Sequence, residues 1–172
     1  MMLKFDCRCL HFAVVIPALA AVLLVGCSGD PATRKARFFE SGNQYSQKGD
    51  HRAAIIEYRN AIAIDPRFGE ARAKLADSYA QIGDAANALG EYVRAADLLP
   101  QDFDVQLHAG VLLLAAGKAD DALAKANVAL KLKPTDVSAH ILRGNALAGL
   151  KSFDEAIASV EEAIRLDPNR ST

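Results

Sequence analysis

Residues 152–168, Ser152-Phe-Asp-Glu-Ala-Ile-Ala-Ser-Val-Glu-Glu-Ala-Ile-Arg-Leu-Asp167-Pro168, have the pattern of one capped amphipathic helix. Ser152 followed by Glu155 is typical of a capping box, in which each side chain binds a backbone N–H at the helix start. The apolar and small residues Ala156, Ile157, Val160, Ala163 and Ile164 follow at helical spacing and predict one buried face. Asp167-Pro168 predicts the helix end, because proline disfavours helical geometry in the residue before it.

The same segment recurs along the chain at a fixed spacing of 34 residues. Prolines occupy positions 66, 100, 134 and 168, and alanines occupy 54, 88, 122 and 156 and again 61, 95, 129 and 163. Three independent columns at one period indicate an array of repeated supersecondary units. The sequence therefore divides into four units, at residues 35–68, 69–102, 103–136 and 137–170.

Each unit holds two helical patterns joined by a turn. Gly49-Asp50 and Gly83-Asp84 place a helix-ending glycine beside a helix-starting cap, and Gly117 and Ser152 mark the same turn later. First helices are expected near 35–48, 69–82, 103–116 and 137–150, and second helices near 51–65, 85–99, 119–133 and 153–167. One such hairpin cannot bury its apolar face alone, so neighbours stack. The predicted fold is an all-α solenoid of four helical hairpins.

The N-terminal segment has a different character. Phe12 to Val25 is an apolar run of 14 residues after a short basic stretch, which is too short for a transmembrane helix and typical of a signal peptide. Leu24-Val25-Gly26-Cys27 resembles the bacterial lipobox. The resemblance implies a signal peptide over residues 1–27, lipidation of Cys27 and, with Ser28 next, sorting to the outer membrane facing the periplasm. The alternative is an ordinary secretory signal. Residues 28–34 are predicted to form a polar linker.

Composition argues against several classes of function. Cys7 and Cys9 lie in the predicted signal peptide, so the mature chain keeps no pair of thiols for a disulfide or a metal. It carries 18 basic and 20 acidic residues, which gives no electrostatic reason to expect nucleic acid. The histidines lack metal-ligand spacing, and no nucleophile or phosphate-binding motif is present in a suitable context. The sequence thus predicts a non-enzymatic protein without cofactor or metal.

The repeat columns resemble the tetratricopeptide repeat family. The matching residues are the small residues Gly42, Ala76, Gly110 and Gly144, the large residues Tyr45, Tyr79, Leu113 and Leu147, the aromatics Tyr58 and Tyr92, and the alanine and proline columns. The resemblance implies a right-handed superhelix whose first helices line a concave groove for a peptide or a partner helix. Arg72, Gln106 and His140 stand where the family has a large apolar residue, and Ser41 and Arg143 stand where it has leucine. These departures are expected to weaken individual interfaces.

The resemblance also implies which side chains face the groove. The candidate residues are Asn43, Lys74, Asp77, Leu107, His108, Val111, Ile141, Leu142 and Asn145. This groove runs from polar in units one and two to apolar in units three and four. The alternative for some apolar members is packing between helices. Exposed Ile157, Ile164 and Leu166 on the last helix further predict either a longer array or pairing with another copy.

The predicted function is a protein-binding scaffold tethered by lipid in the bacterial cell envelope. A lipobox followed directly by these repeats, with the residues at 55–61, resembles envelope repeat lipoproteins linked to exopolysaccharide export and PEP-CTERM protein sorting. Two alternatives remain open at this point. The chain is a spacer or fragment of a longer array whose groove lies elsewhere, or it is a pilus or outer-membrane assembly lipoprotein.

Overall fold

A computed structural model describes residues 30–169, so the predicted signal peptide and Cys27 lie outside the described part of the chain. Over these residues the chain forms eight α-helices and no strand. The helices are α1 Pro31–Gln47, α2 His51–Ile64, α3 Gly69–Gln81, α4 Ala85–Leu98, α5 Phe103–Ala115, α6 Ala119–Leu132, α7 Val137–Gly149 and α8 Phe153–Leu166. The predicted all-α array of helical hairpins is confirmed. Within 30–169, no helix is both long and apolar enough to cross a bilayer.

The two alanine columns form the centre of the array. Each odd-numbered helix packs against the next even-numbered helix as a hairpin, and each hairpin packs against the one that follows. Seven of the eight alanines are fully or almost fully inaccessible, and the eighth, Ala156, is 7% exposed. Their small side chains let the helix backbones approach closely. At Gly42 the missing side chain leaves space for a ring of the second helix, because an added Cβ would lie 2.5 Å from Cε1 of Tyr58.

The turn inside each hairpin depends on one residue with left-handed backbone geometry. Gly49, Gly83 and Gly117 have φ angles of 78°, 79° and 75°, which glycine adopts without steric cost. In unit four the same position holds Lys151, with a φ of 64°. A side chain there clashes with the following carbonyl, so the fourth turn is strained.

One helix start and one helix cap differ from the prediction. Helix α1 begins at Pro31, four residues early, because proline is favoured at the first helical position and Asp30 accepts a hydrogen bond from the Thr33 N–H at 3.4 Å. Residues 31–34 are therefore helical rather than linker. The capping box is also absent: Ser152 precedes α8 but makes no side-chain cap bond, whereas Asp50 caps α2 through the Ala53 N–H at 3.1 Å.

Three polar residues replace the family's large apolar residue in units two, three and four. In the structure they contact backbone carbonyls. Gln106 is buried, and its Nε2 donates to the Ala96 carbonyl at 2.7 Å. Nε2 of His140 lies 2.9 Å from the Pro134 carbonyl.

Arg72 makes the same kind of bond in unit two. Its Nε and Nη2 donate to the Pro66 carbonyl at 3.0 and 2.8 Å, and its Nη1 pairs with Glu91 at 2.6 Å. Each hydrogen bond of this type contributes about 1 kcal/mol. All three polar side chains thus bind backbone carbonyls, but Oε1 of Gln106 and Nδ1 of His140 are buried without a hydrogen-bond partner. The expectation of weakened interfaces stays a prediction.

We expect Lys151→Gly to stabilise the fold by about 1 kcal/mol, since glycine removes the left-handed strain. Urea unfolding followed by circular dichroism measures the change. The reverse substitution, Gly117→Lys, introduces the same strain into unit three and should cost a similar amount. If Lys151→Gly leaves the unfolding midpoint unchanged, the turn is not strained.

Candidate functional site

The first helices α1, α3, α5 and α7 carry all nine candidate groove residues. Lys74, His108, Val111 and Asn145 are exposed, and Asn43, Asp77, Leu107 and Ile141 are half-buried. Leu142 differs from the others, because only 3% of it is accessible. The first eight therefore remain available to a ligand, and Leu142 does not.

Leu142 is a packing residue. An added Cβ on Gly110 would lie 2.6 Å from Cδ2 of Leu142. The leucine therefore fills the space that the glycine leaves between units three and four. The equivalent positions in units two and three hold exposed Lys74 and His108. The prediction that Leu142 faces the groove is corrected by this contact, and the packing alternative holds at that position.

A cleft of about 330 Å³ opens between α3 and α5. Tyr92, which projects from α4, contributes to its floor and is buried. Its hydroxyl donates to the Asp77 carboxylate and lies 3.2 Å from Nδ1 of His108. The rings of Tyr92 and His108 also contact, with centroids 5.3 Å apart. The cleft thus brings together two predicted residues, Asp77 and His108, through one that was not predicted as a site residue.

The electrostatics of this cleft are acidic. Glu70, Asp77, Asp102 and Asp104 line it together with one cation, Lys74, whose Nζ is 3.6 Å from Asp77. Burial raises the pKa of Tyr92, and its hydrogen bond to Asp77 raises it further. The phenol therefore stays protonated at neutral pH and keeps donating to the carboxylate.

A second cleft, of about 390 Å³, lies on the groove side of unit one. Tyr58 reaches it from α2 and donates its hydroxyl proton to Oδ1 of Asn43 at 2.9 Å. Burial raises the pKa of Tyr58 to about 12. Phe39 completes the wall, with its ring 5.9 Å from that of Tyr58. Asn43 is thus held in place by the aromatic residue of the second helix.

Tyr58 and Tyr92 occupy one repeat column and play one role. Each comes from a second helix and binds a polar side chain of the preceding first helix, Asn43 or Asp77, 15 residues earlier. The sequence analysis placed these tyrosines only in the family pattern and looked for site residues on first helices alone. The signal that could have identified them was the shared spacing between the aromatic column and the polar column.

Units three and four give the groove its apolar part. Val111 is 48% exposed, and Leu107 and Ile141 are half-buried beside it in the register of the first helices. Leu107 also packs against the buried cluster of Phe103, Ala129 and Ala139, so part of its surface serves the core. No group of three histidine, cysteine or acidic residues positioned to hold a metal occurs within residues 30–169. What the groove offers is hydrogen-bonding groups, negative charge and apolar surface.

Comparison with known proteins agrees with this architecture. A family model described as tetratricopeptide repeat matches residues 107–171, and a second, described as TPR repeat, matches residues 42–83. No curated protein matches the chain.

Solved structures with the same fold include MamA from Desulfovibrio magneticus RS-1, at 20% identity and a TM-score of 0.70, covering 78% of this chain and 76% of that one. YrrB has 20% identity and a TM-score of 0.72, covering 81% and 72%. PilF of Pseudomonas aeruginosa has 22% identity and a TM-score of 0.62, covering 81% and 64%. With its four hairpins and both family models matched, the chain belongs to the tetratricopeptide repeat family.

Proposed function

We propose that the protein is a scaffold that binds an extended segment of a protein partner in the groove of α1, α3, α5 and α7. The observation that carries this proposal is the accessible surface of the groove, where exposed hydrogen-bonding groups continue into exposed Val111. YrrB, which shares the fold, is described as a TPR protein with an unusual peptide-binding site, and that description supports the proposal by analogy.

The spacing of the helices limits what the groove can hold. Neighbouring packed helices lie about 10 Å apart, and an extended chain rises about 3.3 Å per residue. A bound segment therefore advances about three residues for each unit. Asn43 and Asn145 can each offer an amide to its backbone, and the acidic cleft beside Tyr92 favours a basic side chain. A basic residue and an aliphatic residue three positions apart would match the cleft and Val111.

We further propose that Cys27 carries lipid and tethers this groove to the outer membrane, facing the periplasm. The lipobox resemblance of residues 24–27 supports the anchor. Helix α1 begins four residues after Cys27, a span of at most about 14 Å when extended. Several acyl chains would give stable anchoring. The groove would then work next to the bilayer surface, in exopolysaccharide export or protein sorting.

A pilus or outer-membrane assembly lipoprotein is the second candidate. PilF shares the fold, which favours this interpretation only at the level of architecture. Under either candidate the groove is the binding surface. A spacer whose working groove lies elsewhere would make no such use of it.

The groove is tested with Val111→Asp in the full chain. We expect it to weaken binding roughly tenfold, because a charge replaces an apolar contact. Ile56→Asp is the matched control, since Ile56 is 60% exposed on a second helix outside the groove. Binding is measured by fluorescence anisotropy with a peptide selected on this protein from a random twelve-residue library.

Leu142→Asp separates packing from binding in the same assay. Since Leu142 is buried, we expect this substitution to lower stability by roughly 3 kcal/mol, while Val111→Asp leaves the melting temperature nearly unchanged. Equal binding by the Val111→Asp and Ile56→Asp proteins, or the selection of no peptide at all, would favour the spacer alternative.

The anchor is tested with Cys27→Ser. We expect the variant to remain unprocessed or to leave the membrane fraction, because serine has no thiol to acylate. Membrane fractionation and mass spectrometry of the N-terminal peptide measure the outcome. If Cys27→Ser fractionates like the unsubstituted protein, and the N-terminal peptide of the unsubstituted protein carries no acyl mass, the anchor is contradicted. That result would favour an ordinary secretory signal.

A further inference from the structure

Helix α8 presents an apolar stripe to solvent. Phe153 is 61% exposed, Ile157 57%, Val160 37% and Ile164 56%. These four residues are half of the large hydrophobic side chains that are exposed in residues 30–169. A cleft of about 310 Å³ between α7 and α8 runs alongside Phe153, Ile157 and Val160. Such a concentration of apolar surface on one helix indicates an interaction site.

The other units show what kind of surface covers these positions. Ile55 is the counterpart of Ile157 in unit one, and it is buried against Leu75 and Tyr79 of the next first helix. Tyr58, the counterpart of Val160, is completely buried in the same cluster. The stripe on α8 therefore corresponds to the face that binds the next helix in unit one, and no helix within residues 30–169 covers it.

The opposite end of the array fits that face less well than the first helices of units two and three do. In units two and three, the face that meets the preceding unit is built from buried apolar residues such as Ala71, Leu75 and Val105. In unit one the equivalent positions hold Arg37 and Ser41, and Gln44 lies beside them. Arg37 and Gln44 are exposed. Stacking a second copy head to tail would bury an arginine against α8, which is unfavourable without a partner for its charge.

The stripe is complementary to itself in the antiparallel direction. Its residues are separated by four, three and four positions, so a two-fold axis between Ala158 and Ser159 places Phe153 opposite Ile164 and Ile157 opposite Val160 of the second helix. Residues at this spacing share one helix face. A two-fold interface uses the same patch on both subunits, so one stripe is sufficient.

We propose that two copies of this chain associate tail to tail through α8, with the two helices antiparallel. The interface is small compared with stable dimer interfaces, so the association is reversible and depends on concentration. The stripe adjoins the unit-four end of the groove, since Asn145 lines the same cleft as Phe153 and Ile157, but the association leaves Asn43, Lys74 and Val111 free in both copies.

The first test is sedimentation velocity of the purified full chain over a micromolar concentration range. Ile157→Asp should weaken association roughly tenfold or more, because it places a charge in the centre of the interface. Ile56→Asp is the matched control, since both isoleucines lie on second helices and are 57% and 60% exposed. A full chain that stays monomeric throughout, or equal effects of the two substitutions, would overturn the proposal.

The second test separates the antiparallel arrangement from any other. Phe153→Lys and Ile164→Glu should each prevent self-association, because each places two charges against apolar residues. Mixed together, the two variants should associate again. The lysine introduced in one copy would face the glutamate introduced in the other, and the unchanged Ile164 of the first copy would face the unchanged Phe153 of the second.

Two substituted proteins that remain monomeric when mixed would exclude the antiparallel pairing. Peptide binding by both variants, measured as for the groove, shows that each is folded and that its groove is unaffected. The loss of self-association then reports on α8 alone.

Discussion

The close approach of the two helices in each hairpin is the constraint on which the rest of the structure depends. It is set by two alanine columns, with Ala54, Ala88 and Ala122 completely inaccessible in three successive units. Interiors are packed to crystal-like density, so any larger side chain would separate the helices. Because the approach is the same in every unit, the units stack in one direction and their first helices line one side. The groove follows from the alanines, although no alanine of these columns lines the clefts beside Tyr58 and Tyr92.

The fold could be predicted because its main determinants are periodic. Alanine and proline columns repeat without error, and small residues at a fixed period leave few alternatives for a chain with two helices per unit. The departures lie where a residue breaks the period. The partners of Arg72, Gln106 and His140 are backbone carbonyls at the junctions between units, and no sequence pattern shows where a carbonyl points.

The candidate site was less predictable than the fold, for a related reason. Leu142 shares a register with Lys74 and His108, yet it is buried because Gly110 leaves space for it. The register gives the direction of a side chain, whereas burial depends on the residue that it meets in the next unit. Tyr92 was omitted from the predicted groove because it belongs to a second helix. Its side chain is long enough to bring the hydroxyl to Asp77 on the groove side. Groove prediction from first helices alone therefore both includes a core residue and omits part of the floor.

The different chemistry of the two ends also affects how such a chain can change in evolution. A copy of unit two or three, inserted between existing units or placed after α8, would present a buried apolar face such as that of Ala71 and Leu75 to the unit before it. A unit placed before α1 would have to bury Arg37 and Gln44, both now exposed. Duplication at that end would require compensating substitutions in unit one at the same time. Copies of units two and three can therefore lengthen the array by single steps everywhere except next to α1, and the distance between α1 and Cys27 can be preserved while the groove grows.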